Sequence, residues 1–482
     1  MSIINHTKYA EKPLCLDLDG TLIATDSLAE SLVVMIKTKP LYFFLLPLWI
    51  LRGKYYFKSK IEQNSKLSPD KLPYIAQVLE FAKTEKAKGR MIVLATATMQ
   101  GIADKIADYL GIFDLVIGSK HGINLRSNHK RDKLVELFGE KGFDYAGDSK
   151  ADIKVWKSAD NSIIVNPNNS VLSKAKAIGN VQKVIKEDFS PIKAYIKQIR
   201  VYQWIKNILL FLPFILAHKL FNTEIIANVA ISFVSFSALA SFVYILNDLM
   251  DLEADRIHPR KKFRPLASGK ITLFRAFQLL PLLLIVSFGL SLIFLPISFT
   301  FILISYALTN IIYSIYAKKI MVLDIIILSS FYSIRIIAGA IAAGVIISPW
   351  LIEFSIFFFF SLAALKRFSE LLNLKEHNQT SAKRRGYLVT DLYLVQSFGV
   401  ISGYISVLII SFYVHSDAVI LLYKSPEILW AISPCLLFWI SRIWILAHRG
   451  LMNDDPIVFT GKDKVSYLIG LIIIVVAVLA TI

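Results

Sequence analysis

The sequence predicts two domains of different class. An N-terminal α/β domain with a helical cap occupies residues 1–188, and an all-α polytopic membrane domain occupies 189–482. Three observations predict this. The mean hydropathy is +0.55 and hydrophobic residues make up 55%, more than an ordinary soluble chain carries. The apolar weight is uneven: short runs before about residue 188, long ones after about 205. Several runs end in clustered aspartates, the kind of polar chemistry that collects at strand ends and membrane boundaries. The net charge of +18, on so apolar a chain, points to an anionic membrane face and anionic substrates, not to nucleic acid. Two cysteines, Cys15 and Cys435, are too few and too far apart for a disulfide framework or a thiolate metal site. The opening MSIINHTKYAEKPL is polar and has no apolar core of a signal peptide.

In the first domain, Leu14 to Leu18 leads into Asp17-Leu18-Asp19-Gly20-Thr21, and Met91 to Leu94 leads into Ala95-Thr96-Ala97-Thr98. A third signal is Tyr145-Ala146-Gly147-Asp148-Ser149-Lys150-Ala151-Asp152. Helical patterns lie between them, over Asp70 to Lys88 and Gly101 to Leu110. This alternation predicts a doubly wound parallel sheet with its site at the carboxyl ends of the strands. The residue types suit phosphoryl chemistry. Asp17 can attack phosphorus, and Asp19 can protonate the leaving oxygen and later activate water. Gly20 allows a tight turn that brings N–H groups to phosphate. Thr96 and a lysine can hold phosphoryl oxygens, while Asp148, with Asp17 and Asp19, suits Mg²⁺.

The ordered set DLDGTL, Thr96, a lysine and GDSKAD resembles the four motifs of the haloacid dehalogenase (HAD) superfamily of phosphohydrolases, over about residues 12–165. The resemblance implies Asp17 as nucleophile, Asp19 as acid and base, Thr96 and a lysine on phosphate, and Asp148 on the metal. Asp152 would stand behind these. Lys130 fits the third motif best by its spacing to Phe138-Gly139, with Lys133 as runner-up.

Within this domain, Leu41 to Leu51 (LYFFLLPLWIL) is apolar yet far short of the roughly 20 residues that a membrane span needs. A crossing here would also separate Asp17 from Asp148. A cap insertion fits, its apolar face either resting on lipid or closing an ordinary cap core.

The second domain begins after a Lys- and Asn-rich connection, and Ile192 to Ile208 reads as an amphipathic approach to the membrane. Nine apolar segments follow, near 205–217, 225–247, 274–295, 298–317, 321–345, 350–366, 393–413, 428–447 and 465–482. If residue 200 is cytoplasmic, loops 248–275, 317–320, 366–391 and 448–464 carry seven, two, six and three Lys/Arg. The opposite loops carry Lys219 and Lys424 alone. This asymmetry predicts a multi-pass protein of a bacterial-type inner membrane. The N-terminal domain and both active sites would face the cytoplasm, and the C-terminus would lie outside.

The chemistry of this domain centres on Asn247-Asp248-Leu249-Met250-Asp251-Leu252-Glu253-Ala254-Asp255. Asp248, Asp251 and Asp255 fall at i, i+3 and i+7, one face of a helix. Like charges so placed repel, and a divalent cation with oxygen ligands, Mg²⁺, relieves them. Arg256, Arg260, Lys261, Lys262 and Arg264 follow, suited to phosphate. A second cluster is Tyr313-Ser314-Ile315-Tyr316-Ala317-Lys318 with Asp324. Lys318 can pair with phosphate or snorkel, and Asp324 can serve the site or simply favour a helix N-terminus. Arg335, inside an apolar helix, is either a phosphate ligand or a structural ion-pair member. Lys366-Arg367 with Glu370, and Lys383-Arg384-Arg385-Gly386-Tyr387, add cations at the rim.

NDLMDLEADRIHPRKKFRPLASG resembles the first aspartate motif of the UbiA superfamily of membrane prenyltransferases, and Gln203-Trp204-Ile205-Lys206-Asn207 resembles that superfamily's opening motif. His258-Pro259 and the dense basic run look more like its polyprenyl-phosphate phosphoribosyltransferase branch. So does a Tyr-Ser-x-x-x-Lys stretch followed by a lone aspartate, where enzymes with aromatic acceptors usually show a second run of aspartates. The resemblance implies transfer of 5-phosphoribose from phosphoribosyl pyrophosphate (PRPP) to a polyprenyl phosphate, with Mg²⁺ on Asp248, Asp251 and Asp255. Lys206, Asn207, Asn247, Arg260, Lys261, Arg264, Tyr313, Lys318, Asp324, Arg335, Lys366 and Arg367 would line the substrate site. The alternatives are a prenyltransferase for an aromatic acceptor and a non-catalytic lipid-binding protein.

Overall fold

The structure, a computed structural model, describes residues 11–120, 122–187, 190–378, 385–452 and 456–482. The first ten residues of the polar N-terminal stretch, and Lys383 and Arg384 of the rim cations, lie outside the described residues. The chain forms two compact units. One is 1–199 together with 244–281, and the other is 200–243 together with 282–482.

The first unit is built on a six-stranded, all-parallel sheet of order β3-β2-β1-β4-β5-β6. The strands are β1 (Leu14–Leu16), β2 (Ile92–Met99), β3 (Leu115–Ser119), β4 (Asp144–Gly147), β5 (Ser162–Val165) and β6 (Val181–Ile185). β1 reads as a continuous apolar run because both faces of the sheet are covered. Leu14 and Leu16 pack into one core with Ile92 and Leu94, while Cys15 packs into the other with Val93 and Tyr145. The strand order reverses between β1 and β4, where open α/β sheets put their crevice. Asp17 follows β1 and Asp148 follows β4.

The cap enters between β1 and β2. It consists of α1 (Ser27–Thr38), a 3₁₀ turn at Pro40–Leu45, α2 (Leu46–Leu51) and α3 (Lys54–Asn64). Asp26 caps α1 by accepting from Ala29 N at 2.9 Å. The body adds α4 (Ala76–Ala87), α5 (Gln100–Leu110), α6 (Asn128–Phe138), α7 (Ile153–Ser158) and α8 (Asn169–Lys176). α4 starts six residues later than the pattern from Asp70 suggests, because Pro69 and Pro73 hold the chain in a 3₁₀ turn and extended backbone.

Helical segments continue the chain as α9 (Pro191–Gln198), a 3₁₀ stretch at Val201–Phe211, α10 (Leu212–Leu216), α11 (Thr223–Met250) and α12 (Leu252–Ile257). α13 (Leu273–Phe294), α14 (Ile297–Ile315), α15 (Leu323–Ala343), α16 (Pro349–Glu376) and α17 (Leu392–Val414) follow. The last are α18 (Asp417–Leu422), α19 (Ile432–His448), α20 (Pro456–Thr460) and α21 (Lys464–Thr481).

Nine spans were expected. Among the described residues, seven helices are long and apolar enough to cross a membrane, or eight if Pro191–Gln198 and Val201–Leu216 count as one broken span. Two of the expected segments account for the difference. The segment 205–217 runs as 3₁₀ turns to Phe211 and then as the short α10, and a break at Arg200, which sits in the left-handed region at φ 54°, separates it from α9. The segment 350–366 belongs to α16, where Glu353 and Lys366 leave an uncharged run at 354–365, well short of roughly 20 residues.

Candidate functional sites

The strand ends gather a cavity of about 320 Å³, lined by Asp17, Asp19, Thr98, Lys130, Asp148 and Asp152, among others. Asp17 is nearly buried, and Leu18 N donates to its Oδ1 at 2.8 Å. Lys130 Nζ stands 2.9 Å from Asp17 Oδ2 and 3.6 Å from Asp152 Oδ1, and donates to the Tyr145 hydroxyl at 2.7 Å. Burial pulls its ammonium pKa down, but Asp17 and Asp152 outweigh this and raise it. Lys133, three residues on, points outward and pairs with Glu136.

Asp17, Asp148 and Asp152 each offer an oxygen within 4.8 Å of the others, a grouping that could hold a metal ion. Two glycines make room for it. Gly20, at φ +78°, would put a Cβ 2.3 Å from Asp148 Oδ2, and a Cβ on Gly147 would meet Asp152 Cγ at 2.8 Å. Crowded, buried carboxylates hold their protons. Burial first, then the neighbouring acids, push Asp148 up to about 8 and Asp17 to about 6, with Lys130 opposing the latter. Asp19 rises to about 7 through burial and the Asp26 charge. These oxygen ligands and their mutual repulsion fit Mg²⁺.

Asp19 is held from two sides, by Ser27 N at 2.7 Å and by the Thr98 hydroxyl at 2.9 Å. Thr96, chosen from sequence for the phosphate, is fully buried one pleat back, and its hydroxyl donates to Thr98 Oγ1 at 3.1 Å. Thr98 lies nearer the carboxyl end of β2, where the cavity opens. The signal that could have found it is the repeated Ala-Thr pair. Lys58 of α3 was also missed. It donates to Ala97 O at 2.8 Å and Asn124 Oδ1 at 3.1 Å, and burial lowers its pKa.

The aspartate motif belongs to this same compact unit. α11 ends at Met250, and Asp251 forms a kink (φ −98°, ψ 8°) before α12. The four-residue bonding pattern nevertheless runs through, from Asp251 N to Asn247 O and from Asp255 N to Asp251 O, both at 2.9 Å. Asp248 and Asp255 are each 3% exposed. Arg264 Nη1 reaches both, at 3.0 Å and 2.5 Å, standing where a shared cation would. Gln198 donates to the other oxygen of Asp248 at 2.9 Å. Burial raises the Asp255 pKa and Arg264 opposes it. The carboxylate oxygens of Asp248 and Asp255 around this cation are ligands of the kind that Mg²⁺ takes. Arg260 and Lys261 are exposed, and their backbone N–H groups donate to His258 Nδ1 at 3.2 and 3.3 Å, so this ring fixes the basic turn.

The motif is also tied to the cap. Arg256 makes a two-pronged pair with Glu30 of α1, at 2.6 and 3.0 Å, the two side chains only 7% and 2% exposed. Thr25 donates to the same carboxylate at 2.8 Å. Lys37 meets Glu253 at 3.3 Å. Gly269 lies against Ala24, where a Cβ would come within 2.4 Å of the carbonyl oxygen.

The second compact unit holds the remaining candidates. Asp324 is fully buried. Arg367 Nε stands 2.9 Å from it, Tyr313 donates to it at 2.8 Å, and Arg385 lies at 3.5 Å. Arg367 is itself fully buried and also pairs with Glu370. Arg335 meets neutral partners: Asn207 Oδ1 at 2.7 Å, the Tyr306 hydroxyl at 3.1 Å, the Phe331 carbonyl, and the ring faces of Phe236 and Tyr306. Asn207 donates in turn to Ser237 at 2.8 Å. Lys206 is 9% exposed, 5.7 Å from the Tyr332 ring centre. Lys318 and Lys366 are half-buried on their helical turns. Two groups form within the unit, Tyr313, Arg367 and Arg385 around Asp324, and Asn207 and Tyr306 around Arg335.

The sequence pattern of the UbiA prenyltransferase family matches residues 208–460, more than half of the chain. The uncharacterized protein y4nM of Sinorhizobium fredii is 35% identical over 96% of this chain and 89% of its own length. Nodulation protein NoeC of Azorhizobium caulinodans is 33% identical over 57% of this chain and 88% of its own length. The decaprenyl-phosphate phosphoribosyltransferase of Corynebacterium glutamicum is 36% identical over 41% of this chain and 60% of its own length. A membrane domain with a buried aspartate motif after its second helical segment and a matching family pattern leave one assignment: the chain belongs to the UbiA prenyltransferase family.

Proposed function

We propose that the chain is a fusion, joined near residue 188, of a phosphatase and a phosphoribosyltransferase that act in sequence on one lipid. The transferase moves 5-phosphoribose from PRPP to a polyprenyl phosphate. The lipid phosphate oxygen forms the new bond to the sugar C1 as the bond from C1 to pyrophosphate breaks, with positive charge building on the sugar. Asp248, Asp251 and Asp255 would hold Mg²⁺, which supplies neutralisation of the departing pyrophosphate. Arg260, Lys261 and Arg264 meet the rest of its charge. The observation that carries this reading over an aromatic acceptor is Asp324: a buried aspartate enclosed by Arg367 and Tyr313, with no second run of aspartates beside it in sequence.

The phosphatase then removes the 5-phosphate. Asp17 attacks phosphorus, Asp19 protonates the departing sugar oxygen, and Asp19 next takes a proton from the water that releases phosphate from Asp17. Lys130 and Thr98 hold the Asp17 and Asp19 carboxylates in place. Asp17 and Asp148 would hold Mg²⁺, which would supply positive charge to offset that of the phosphoryl group. Both centres face the cytoplasm, and the C-terminus lies outside.

Membranes given labelled PRPP and polyprenyl phosphate should form a labelled ribosyl lipid. Asp251→Asn should lower its formation by about 10²–10³-fold while the protein remains inserted. Turnover only with a prenyl diphosphate and an aromatic acid would overturn the reading. Protease should remove the N-terminal domain from inside-out vesicles and spare it in right-side-out ones.

A further inference from the structure

The cap has a face that its own packing does not explain. In the hairpin Pro40–Leu51, Tyr42, Leu46 and Trp49 turn inward onto Met35 and Ile61, and the Tyr42 and Trp49 rings meet edge to face at 5.7 Å. That closes the cap's small core. The outer side is left apolar and open: Leu41 is 75% exposed, Phe44 74%, Ile50 58% and Leu51 84%. Phe43 and Leu48 add to the same patch. Cations rim it. Between residues 31 and 61 the chain carries six lysines and arginines and no acid, with Lys39, Arg52 and Lys54 exposed.

The position of this face narrows what it can meet. α1 is pinned by Arg256–Glu30 and Lys37–Glu253 to the turns just after Met250, where a membrane-long helix ends. Lys37 stands only three residues before the hairpin begins. An apolar patch with a basic rim, held at that level, matches the interfacial layer of an anionic bilayer.

We propose that Pro40–Leu51 is a membrane foot: its outer face is buried among the headgroups and upper acyl chains of an anionic leaflet, the one at which α11 ends. The next helix, α3, starts after Gly53 and carries Lys54 and Lys58, which line the Asp17 cavity. The foot and the cavity wall are thus consecutive in the chain. Resting on the function proposed above, this delivers a phosphate ester still anchored in the bilayer to Asp17 from the side.

The test uses the full chain in nanodiscs of phosphatidylcholine and phosphatidylglycerol. Cys435→Ser leaves the buried Cys15 as the remaining native thiol. An environment-sensitive fluorophore is then attached at Phe44→Cys or, for comparison, at Tyr109→Cys on α5, which is 55% exposed. The label at 44 should shift to the blue and lose most of its emission to lipids carrying an acyl-chain quencher, and the label at 109 should do neither. Equal quenching at both positions, or a blue shift at 44 without lipid quenching, which a protein partner would give, overturns the foot. In a separate arm, the double variant Phe44→Ser, Leu51→Ser should dephosphorylate the 5-phosphoribosyl lipid about tenfold more slowly and p-nitrophenyl phosphate as before. Quenching at 44 with unchanged lipid hydrolysis would sink the lipid-phosphatase reading and leave the foot standing.

Discussion

Lys130 and Arg264 each stand between two buried carboxylates, and they are brought there by different means. Lys130 comes from α6 to meet Asp17 after β1 and Asp152 after β4, so its site exists only once the sheet has formed. Arg264 meets Asp248 and Asp255 from within one stretch of 17 residues, across a single turn of basic loop. The cations differ in freedom as well. Lys130 is 4% exposed at its side chain and Arg264 is 31%. A locked cation suits a site that repeats one phosphoryl exchange. A half-exposed arginine can leave two carboxylates to a metal ion and turn to an arriving diphosphate. The difference teaches that one acidic centre is fixed by topology and the other by local sequence.

The largest expected effect isolates the first centre. Asp17→Asn removes the nucleophile while keeping its shape, and should cut phosphatase turnover on the order of 10⁴-fold or more. Transfer should continue, so labelled lipid should accumulate with its 5-phosphate. A wild-type lipid profile in that variant would separate the two activities.

Arg256→Met tests whether the two centres are mechanically one piece. It strands the buried Glu30 carboxylate, which should destabilise the unit by about 3–5 kcal/mol. Adding Glu30→Met should restore most of this, read as the thermal unfolding of detergent-solubilised protein. Equal unfolding of wild type and the single variant would mean that the pair contributes nothing.

Thr98→Val should lower phosphatase kcat/KM by about 10–100-fold through its lost bond to Asp19, and Thr96→Val by less. The reverse order would return the phosphate role to Thr96.

The last effect concerns protons. Asp17, Asp19 and Asp148 carry raised pKa values of about 6, 7 and 8 when no metal offsets their charge. Raised carboxyl pKa values mean that protons occupy the ligands up to higher pH and compete with Mg²⁺. Half-saturating Mg²⁺ for the phosphatase should therefore fall as pH rises from 6 to 8, by about tenfold per pH unit for each proton displaced. A flat dependence would place the metal elsewhere.

Much of this was legible in the sequence, where chemistry is local. DLDGT and GDSKAD carry their geometry in adjacent residues, and NDLMDLEAD carries its own in helical spacing. Lys130 over Lys133 was only half legible, since the choice depends on which face of α6 meets the sheet. Thr98 depends on where β2 ends. Asp324 reads as a solitary acid because its partner Arg367 lies 43 residues away on another helix. The count of spans departs from nine at 350–366 because Glu353 and Lys366 leave only a short uncharged run within α16, which an apolar window of sequence passes over.

The pair Glu30–Arg256 also orders events during synthesis. The two residues are 226 positions apart. At roughly 5–20 residues per second, Glu30 is incorporated about 10–45 s before its arginine exists. In that interval the sheet can form beside a cap helix whose Glu30 carboxylate retains Thr25 but lacks its Arg256 counter-charge. The N-terminal segment translated alone would stay in this condition permanently. Complete packing of the N-terminal unit would then wait on synthesis of the segment after α11 that carries Arg256, so that the cap is fully seated only on chains that have grown past that helix.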